Sequence, residues 1–78
     1  MPDVDVLSRL SPGDMATVTG LAATGDMRKR LQDIGLIEGT TVRCVQRSPL
    51  GDPTAFLIRG AVIALRAVDS AGVMIREA

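Results

Sequence analysis

The chain has 78 residues, which suits one domain near the lower limit at which a hydrophobic core stabilises a fold alone. Apolar residues make up 46% of it, yet Phe56 is the only aromatic residue, so the core must be built from aliphatic side chains. Nine basic and nine acidic residues balance, and the sequence shows neither a secretory signal nor an apolar run near the ~20 residues of a membrane span. We therefore expect a cytoplasmic protein whose net charge does not attract it to nucleic acid or anionic lipid.

The first third of the chain predicts a short coil and then a strand. Val6, Leu7 and Leu10 precede the turn residues 11–13, and we expect this segment to plug one end of the core. Residues 14–21 alternate between apolar and polar side chains, which is typical of a half-buried strand, and Gly20 is expected to bend it.

A helix is predicted directly after this strand, where the apolar period changes. Met27, Leu31 and Ile34 fall at i, i+4 and i+7, on one stripe of a helix. Thr24 is the expected N-cap, and Gly35 is the expected left-handed residue that ends the helix. A helix of about three turns is not stable in isolation, so its apolar stripe must pack against a sheet.

The remainder of the chain alternates like a series of short strands. The predicted strands lie at 40–47, 54–59 and 62–66 and near the C-terminus, and their inward residues are Val42, Cys44, Phe56, Ile58, Val73 and Ile75. Turns are expected at Gly39, Gly51 and Gly60, and a single 3₁₀ turn capped by Asp69 is expected before the last strand. Five strands with one helix after the first predict a mainly β fold, a small closed or nearly closed SH3-like barrel formed by one domain over 1–78.

Several turns and core pairs follow one another in the order typical of one family. They are Gly13-Asp14, Arg30-Leu31, Gly35-Leu36, Gly39, the SPLGDP segment at 48–53, Gly60, and the ALR segment at 64–66. Together they resemble the FeoA family, small accessory proteins of bacterial ferrous-iron uptake, over nearly the whole chain. The GLxPG turn of many members carries Glu38 in place of proline here, which removes rigidity from the turn but keeps both glycines.

The resemblance implies an SH3-like barrel with an inserted helix that binds and modulates FeoB, a membrane ferrous-iron transporter, through the transporter's cytosolic part. It implies contact with the membrane only through that partner, and a monomer or weak homo-oligomer. The alternative is a stand-alone metal-responsive regulatory domain, like the C-terminal SH3-like domain of iron-dependent repressors. The chain has no DNA-binding helix-turn-helix, so that alternative requires a separate partner.

The residue types argue against catalysis and against a tight metal site. The chain has no histidine and no phosphate-binding loop, and Cys44 is its single cysteine, expected to be a buried hydrophobe. Zinc and iron(II) sites prefer nitrogen and sulfur ligands, so no catalytic residue, metal ligand or cofactor is assigned. Weak or interchain binding of a divalent ion stays open through the carboxylates of Asp14, Asp26, Asp33, Glu38, Asp52 and Asp69.

The candidate partner-binding residues are Arg30, Arg47, Leu50 and Asp52. Arg30 flanks the apolar stripe of the helix, with its head expected near the rim of the barrel. Leu50 lies among proline and glycine residues that restrict the backbone, where a polar side chain is more usual. A rigid loop loses little entropy on docking, so we predict that Leu50 contacts the partner, with Asp52 and Arg47 as a polar rim. The alternatives are a solvated basic face and a loop that only sets strand register.

Overall fold

The computed structural model describes the backbone of residues 4–77 and the side chains of residues 5–77. Its elements, in chain order, are β1 Val4–Val6, a 3₁₀ turn Leu7–Arg9, β2 Met15–Leu21, α1 Gly25–Asp33, β3 Thr41–Arg47, β4 Thr54–Ile58, β5 Ala61–Leu65, α2 Ala67–Ser70 and β6 Val73–Glu77. The prediction of a mainly β fold with a short helix is confirmed, although the helix follows the second strand of the structure and not the first.

The strands form one antiparallel sheet in the order β1-β6-β2-β3-β4-β5. The strand β1 was not predicted, because three residues are too few to show an alternation; it pairs with β6. Within residues 4–77, β5 pairs with β4 alone and β1 with β6 alone, so hydrogen bonds do not close the ring. The sheet therefore has six strands where five were expected, and among the described residues its edge strands are β1 and β5.

One hydrophobic core holds the sheet and the helix together. Its buried members are Leu7, Leu10, Ala16, Val18, Leu31, Leu36, Val42, Cys44, Phe56, Ile58, Leu65, Val73 and Ile75. The inward residues predicted from the alternation are all among them, because each strand has one buried face. Met27 and Ile34 of the predicted helix stripe are partly buried and pack against this core on either side of Leu31.

Helix α1 ends as predicted, at a glycine with left-handed backbone. Gly35 has a φ of +102°, its N–H donates to the Gln32 carbonyl at 3.0 Å, and the Leu36 N–H donates to the Leu31 carbonyl at 3.0 Å. These two bonds satisfy carbonyls that the helix leaves unpaired, and Leu36 is buried beyond them. Thr24 occupies the N-cap position, although its side chain makes no capping hydrogen bond. The predicted turn glycines Gly39, Gly51 and Gly60 also have positive φ.

The segment before β6 differs from its prediction. Residues 67–70 form one α-helical turn, because the N–H groups of Ser70 and Ala71 donate to carbonyls four residues earlier. Asp69 lies inside this turn, while Arg66 holds the N-cap position. The Asp69 carboxylate instead accepts a hydrogen bond from Nε of Arg66 at 3.4 Å. The expectation of a 3₁₀ turn capped by Asp69 is therefore wrong.

Candidate functional site

The most exposed large apolar side chain of the described residues belongs to Leu50, at the tip of the loop between β3 and β4. Leu50 is 93% exposed. Its backbone is held by Ser48, whose Oγ accepts a hydrogen bond from the Leu50 N–H at 3.1 Å and donates to the Asp52 carbonyl at 3.2 Å. The Gly51 N–H donates to the Ser48 carbonyl at 2.8 Å, and the Ser48 N–H donates to the Pro53 carbonyl at 3.1 Å. The loop thus holds Leu50 in solvent on an internally bonded backbone.

Asp52 fastens this loop to α2. Its Oδ1 accepts a hydrogen bond from the Ala67 N–H at 2.8 Å, so the cap on the first turn of α2 comes from a residue 15 positions earlier. The next residue of α2, Val68, is 68% exposed. The Asp52–Ala67 bond therefore holds together the two segments that carry the two most exposed large apolar side chains. We call Leu50, Val68 and the exposed residues Pro49 and Ala67 the loop–α2 surface.

The sequence did not single out Val68, because α2 is one turn long and shows no periodicity of its own. The cap by Asp52 was also missed, since the two segments are distant in sequence. No sequence pattern pairs Asp52 with Ala67. The structure shows that Ser48 makes the side-chain hydrogen bonds within the loop, while the Asp52 carboxylate binds α2.

Arg47 has an intramolecular partner as well. Its Nη2 donates to the Leu10 carbonyl at 2.7 Å, so the side chain ties β3 to the segment that precedes β2. Arg47 and Asp52, predicted as a polar rim for a partner, thus both make hydrogen bonds within the protein. Contact of either residue with a partner stays a prediction.

Arg30 belongs to a different part of the molecule. It is exposed on α1 and lines a cleft of about 140 Å³ between α1, β5 and α2. Its other lining residues are apolar except for Asp69. No residue of the loop at 48–53 lines this cleft, so the cleft does not bring Arg30 together with Leu50 or Asp52.

The remaining polar chemistry of the described residues is sparse. Within residues 4–77, no group of three or more histidine, cysteine, aspartate or glutamate side chains lies close enough to hold a metal ion. Cys44 is fully buried, and this burial raises the pKa of its thiol, which makes it a poor nucleophile. Across the same residues, no helix is both long and apolar enough to span a bilayer.

Comparison with known proteins shows one family over nearly the whole chain. The model of the FeoA domain matches residues 6–77. A relative from Porphyromonas gingivalis, the Fe(2+) transport protein A/Fe(2+) transporter FeoB fusion protein, is 37% identical over 65 residues, which are 83% of this chain. The chain spans only 8% of the length of that fusion protein.

Solved structures agree in fold. The solution structure of the FeoA protein from Chlorobium tepidum superposes with a TM-score of 0.86 at 34% identity, over 94% of this chain and 70% of that chain. The crystal structure of FeoA from Stenotrophomonas maltophilia complexed with zinc, described as a prokaryotic SH3 domain protein, gives a TM-score of 0.81 at 27% identity. That match covers 91% of this chain and 88% of the other.

Proposed function

This chain belongs to the FeoA family, and we propose that it is a non-catalytic cytosolic accessory protein of bacterial ferrous-iron uptake that binds and modulates a FeoB-type transporter. The fusion of the two proteins in a relative is the observation that carries this proposal. Fusion holds two modules at high effective concentration, so they can act together without strong intrinsic affinity. A FeoA domain that is not fused to its partner would have to bind through its own surface.

The loop–α2 surface supports this proposal. A stable interface covers about 800 Å² on each partner, about a sixth of the 4789 Å² that this domain exposes. One face of the molecule is therefore enough. Leu50 and Val68 are apolar anchors on internally hydrogen-bonded segments, and ordering them on docking costs little conformational entropy. We place the transporter on this surface.

Modulation by this domain would act through binding alone. The thiol of Cys44 is buried, and the carboxylates of Asp52 and Asp69 already accept hydrogen bonds within the protein. Binding changes the activity of a partner only when it favours one conformation of that partner over another. The accessory protein would then stabilise the conformation of the transporter's cytosolic part that fits the loop–α2 surface.

A pull-down with the cytosolic part of the transporter tests this placement. Leu50→Glu replaces a side chain that packs against nothing, so its melting temperature should stay within about 2 °C of wild type, as expected for surface substitutions. The variant should lose capture of the transporter. The matched control is Ile37→Glu, which puts the same charge on a half-exposed isoleucine outside the loop–α2 surface and should keep capture. Unfolding of Leu50→Glu, or capture equal to that of the control, contradicts the placement.

A further inference from the structure

The cleft between α1 and β5 has the size of one side chain. Met27 and Leu31 of α1, the C-cap residue Ile34 and Ile63 of β5 line it, and its volume is about 140 Å³. Pockets for cofactors and drug-sized ligands are usually about 300–1,000 Å³, whereas an engineered apolar cavity of about 150 Å³ in another protein takes up benzene. The cleft therefore suits a single aromatic or long aliphatic side chain and excludes a nucleotide.

Asp69, which lines this cleft, has a buried carboxylate with one unpaired oxygen. Asp69 is 5% exposed, and its Oδ2 accepts the bond from Arg66. Its Oδ1 is buried and has no hydrogen-bond partner among the described residues. Native proteins pair almost all buried polar atoms, because a buried acceptor without a donor loses its hydrogen bonds to water and gains none in return. The lining of the cleft thus combines apolar side chains with a buried carboxylate that has one acceptor oxygen unpaired.

The strand beside the cleft is a free edge of the sheet. Among the described residues β5 pairs with β4 alone, so its other side presents unpaired backbone donors and acceptors. Its sequence, AVIAL, is apolar throughout, and Val62 is 63% exposed. Natural proteins usually protect free edges with charges, prolines or bulges within the strand, because an exposed edge pairs with other chains. β5 has none of these devices along its length.

Charges at the two ends of β5 discriminate between possible partners. Arg59 precedes the strand and Arg66 follows it. Antiparallel pairing of β5 with β5 of a second copy would bring these arginines of like charge together, which disfavours self-association. A strand flanked by carboxylates would instead meet complementary charge at both ends.

The charges around the cleft also select which kind of side chain can enter it. Arg66 already pairs with Asp69, and Arg30 lines the cleft, so a lysine or arginine from a partner would enter beside two positive charges. A neutral donor avoids this repulsion. Tyrosine combines an aromatic body for the apolar walls with a hydroxyl that can donate a hydrogen bond.

We propose that β5 and the adjoining cleft bind an extended acidic segment of a partner protein by strand addition, with one tyrosine side chain in the cleft donating its hydroxyl hydrogen bond to Oδ1 of Asp69. Backbone hydrogen bonds to β5 supply affinity, and the cleft supplies selectivity, as in other complexes formed by strand addition. The proposal concerns β5 and its cleft, which adjoin the loop–α2 surface at α2, and it does not depend on the transporter supplying the segment.

Fluorescence anisotropy with labelled synthetic peptides tests this proposal. The probe is Glu-Asp-Val-Tyr-Val-Asp-Glu, with controls that replace the tyrosine by phenylalanine or by lysine, and one that replaces all the acidic residues by lysine. The tyrosine peptide should bind saturably, the phenylalanine peptide about tenfold more weakly, and both lysine controls more weakly still. Absence of binding up to about 1 mM, equal binding of the tyrosine and phenylalanine peptides, or preference for a lysine control overturns the proposal.

Protein variants locate the binding on the molecule. Asp69→Leu removes the acceptor but keeps an apolar side chain, so the tyrosine and phenylalanine peptides should bind this variant equally. Asp69→Asn, which keeps the shape of the side chain and loses its charge, serves if Asp69→Leu does not fold, and should reduce the tyrosine preference. Amide exchange in the presence of the tyrosine peptide should slow at residues 61–65. Retention of the full tyrosine preference in the folded variant, or protection confined to other strands, contradicts the placement.

Discussion

Gly35 satisfies two requirements at once, and their contributions to stability can be separated. Its φ of +102° lies where side chains other than glycine are rarely found. A Cβ at this position would also lie 2.5 Å from Cδ of Arg59, closer than such atoms approach in proteins. Gly35→Ala therefore introduces both backbone strain and a steric overlap, and Arg59→Ala removes the overlap alone.

The expected magnitudes follow from these two features. Left-handed backbone costs an L-residue about 1–2 kcal/mol. Arg59 is exposed and can relieve the overlap by leaving its preferred rotamer, at about 0.5–1.5 kcal/mol. Gly35→Ala should thus lower the free energy of unfolding by about 1.5–3.5 kcal/mol in the wild type and by about 1–2 kcal/mol in the Arg59→Ala background. Gly35→Val should cost more than Gly35→Ala, and Gly35→Asn less, because asparagine tolerates left-handed backbone best of the three.

Urea denaturation followed by far-UV circular dichroism measures these values, since the chain has no tryptophan or tyrosine for fluorescence. A domain of this size is stabilised by about 4–12 kcal/mol, so differences of this order are measurable. If Gly35→Ala costs nothing in the Arg59→Ala background, close packing alone explains the glycine. If Gly35→Val and Gly35→Asn have equal effects in both backgrounds, the left-handed helix terminus is not the reason for it.

Three further predictions concern the core, the thiol and the loop. Leu31→Ala should lower the free energy of unfolding by about 2–5 kcal/mol in the same denaturation assay, because the side chain is buried. Ile37→Ala, at a half-exposed position, should lower it much less. A loss under about 0.5 kcal/mol for Leu31→Ala would mean that α1 does not pack on the core. The thiol of Cys44 should react with a thiol reagent only on unfolding. Burial raises its pKa, so the stability contributed by the neutral thiol is fully present below pH 9.0 and is lost as the pH rises through the raised pKa. Fast reaction of the thiol in the folded protein would contradict this. So would a free energy of unfolding that falls no more at alkaline pH than that of Cys44→Ala. Asp52→Ala should cost about 1 kcal/mol by uncapping α2, and an unchanged midpoint would mean that the bond to Ala67 contributes nothing.

The parts of the fold that sequence patterns predicted share one cause. Val42 and Cys44 of β3 alternate with exposed residues, and Phe56 and Ile58 of β4 alternate with half-buried ones, because one face of each strand packs on the core. The end of α1 was equally visible, since Gly35 meets a local backbone requirement that depends only on its neighbours in the chain.

The parts that were missed depend on residues far apart in sequence. The strand β1 exists because β6 pairs with it, and three residues carry no period of their own. The cap of α2 by Asp52 and the exposure of Val68 follow from the packing of distant segments. The loop prediction succeeded for the exposure of Leu50 because proline and glycine set its backbone locally, while the intramolecular partner of Arg47 lies 37 positions away.

Calorimetric titration of the chain into the cytosolic part of a FeoB-type transporter, beside matched titrations with Fe²⁺, Mn²⁺ and Zn²⁺, tests the proposed function most directly. An accessory protein of this kind should bind the transporter saturably, lose this binding in Leu50→Glu, and keep it in Ile37→Glu. It has no requirement for tight metal binding of its own. Micromolar or tighter binding of one metal ion, with no binding to the transporter in its presence or absence, would contradict the account and assign the chain to the metal-responsive regulatory domains.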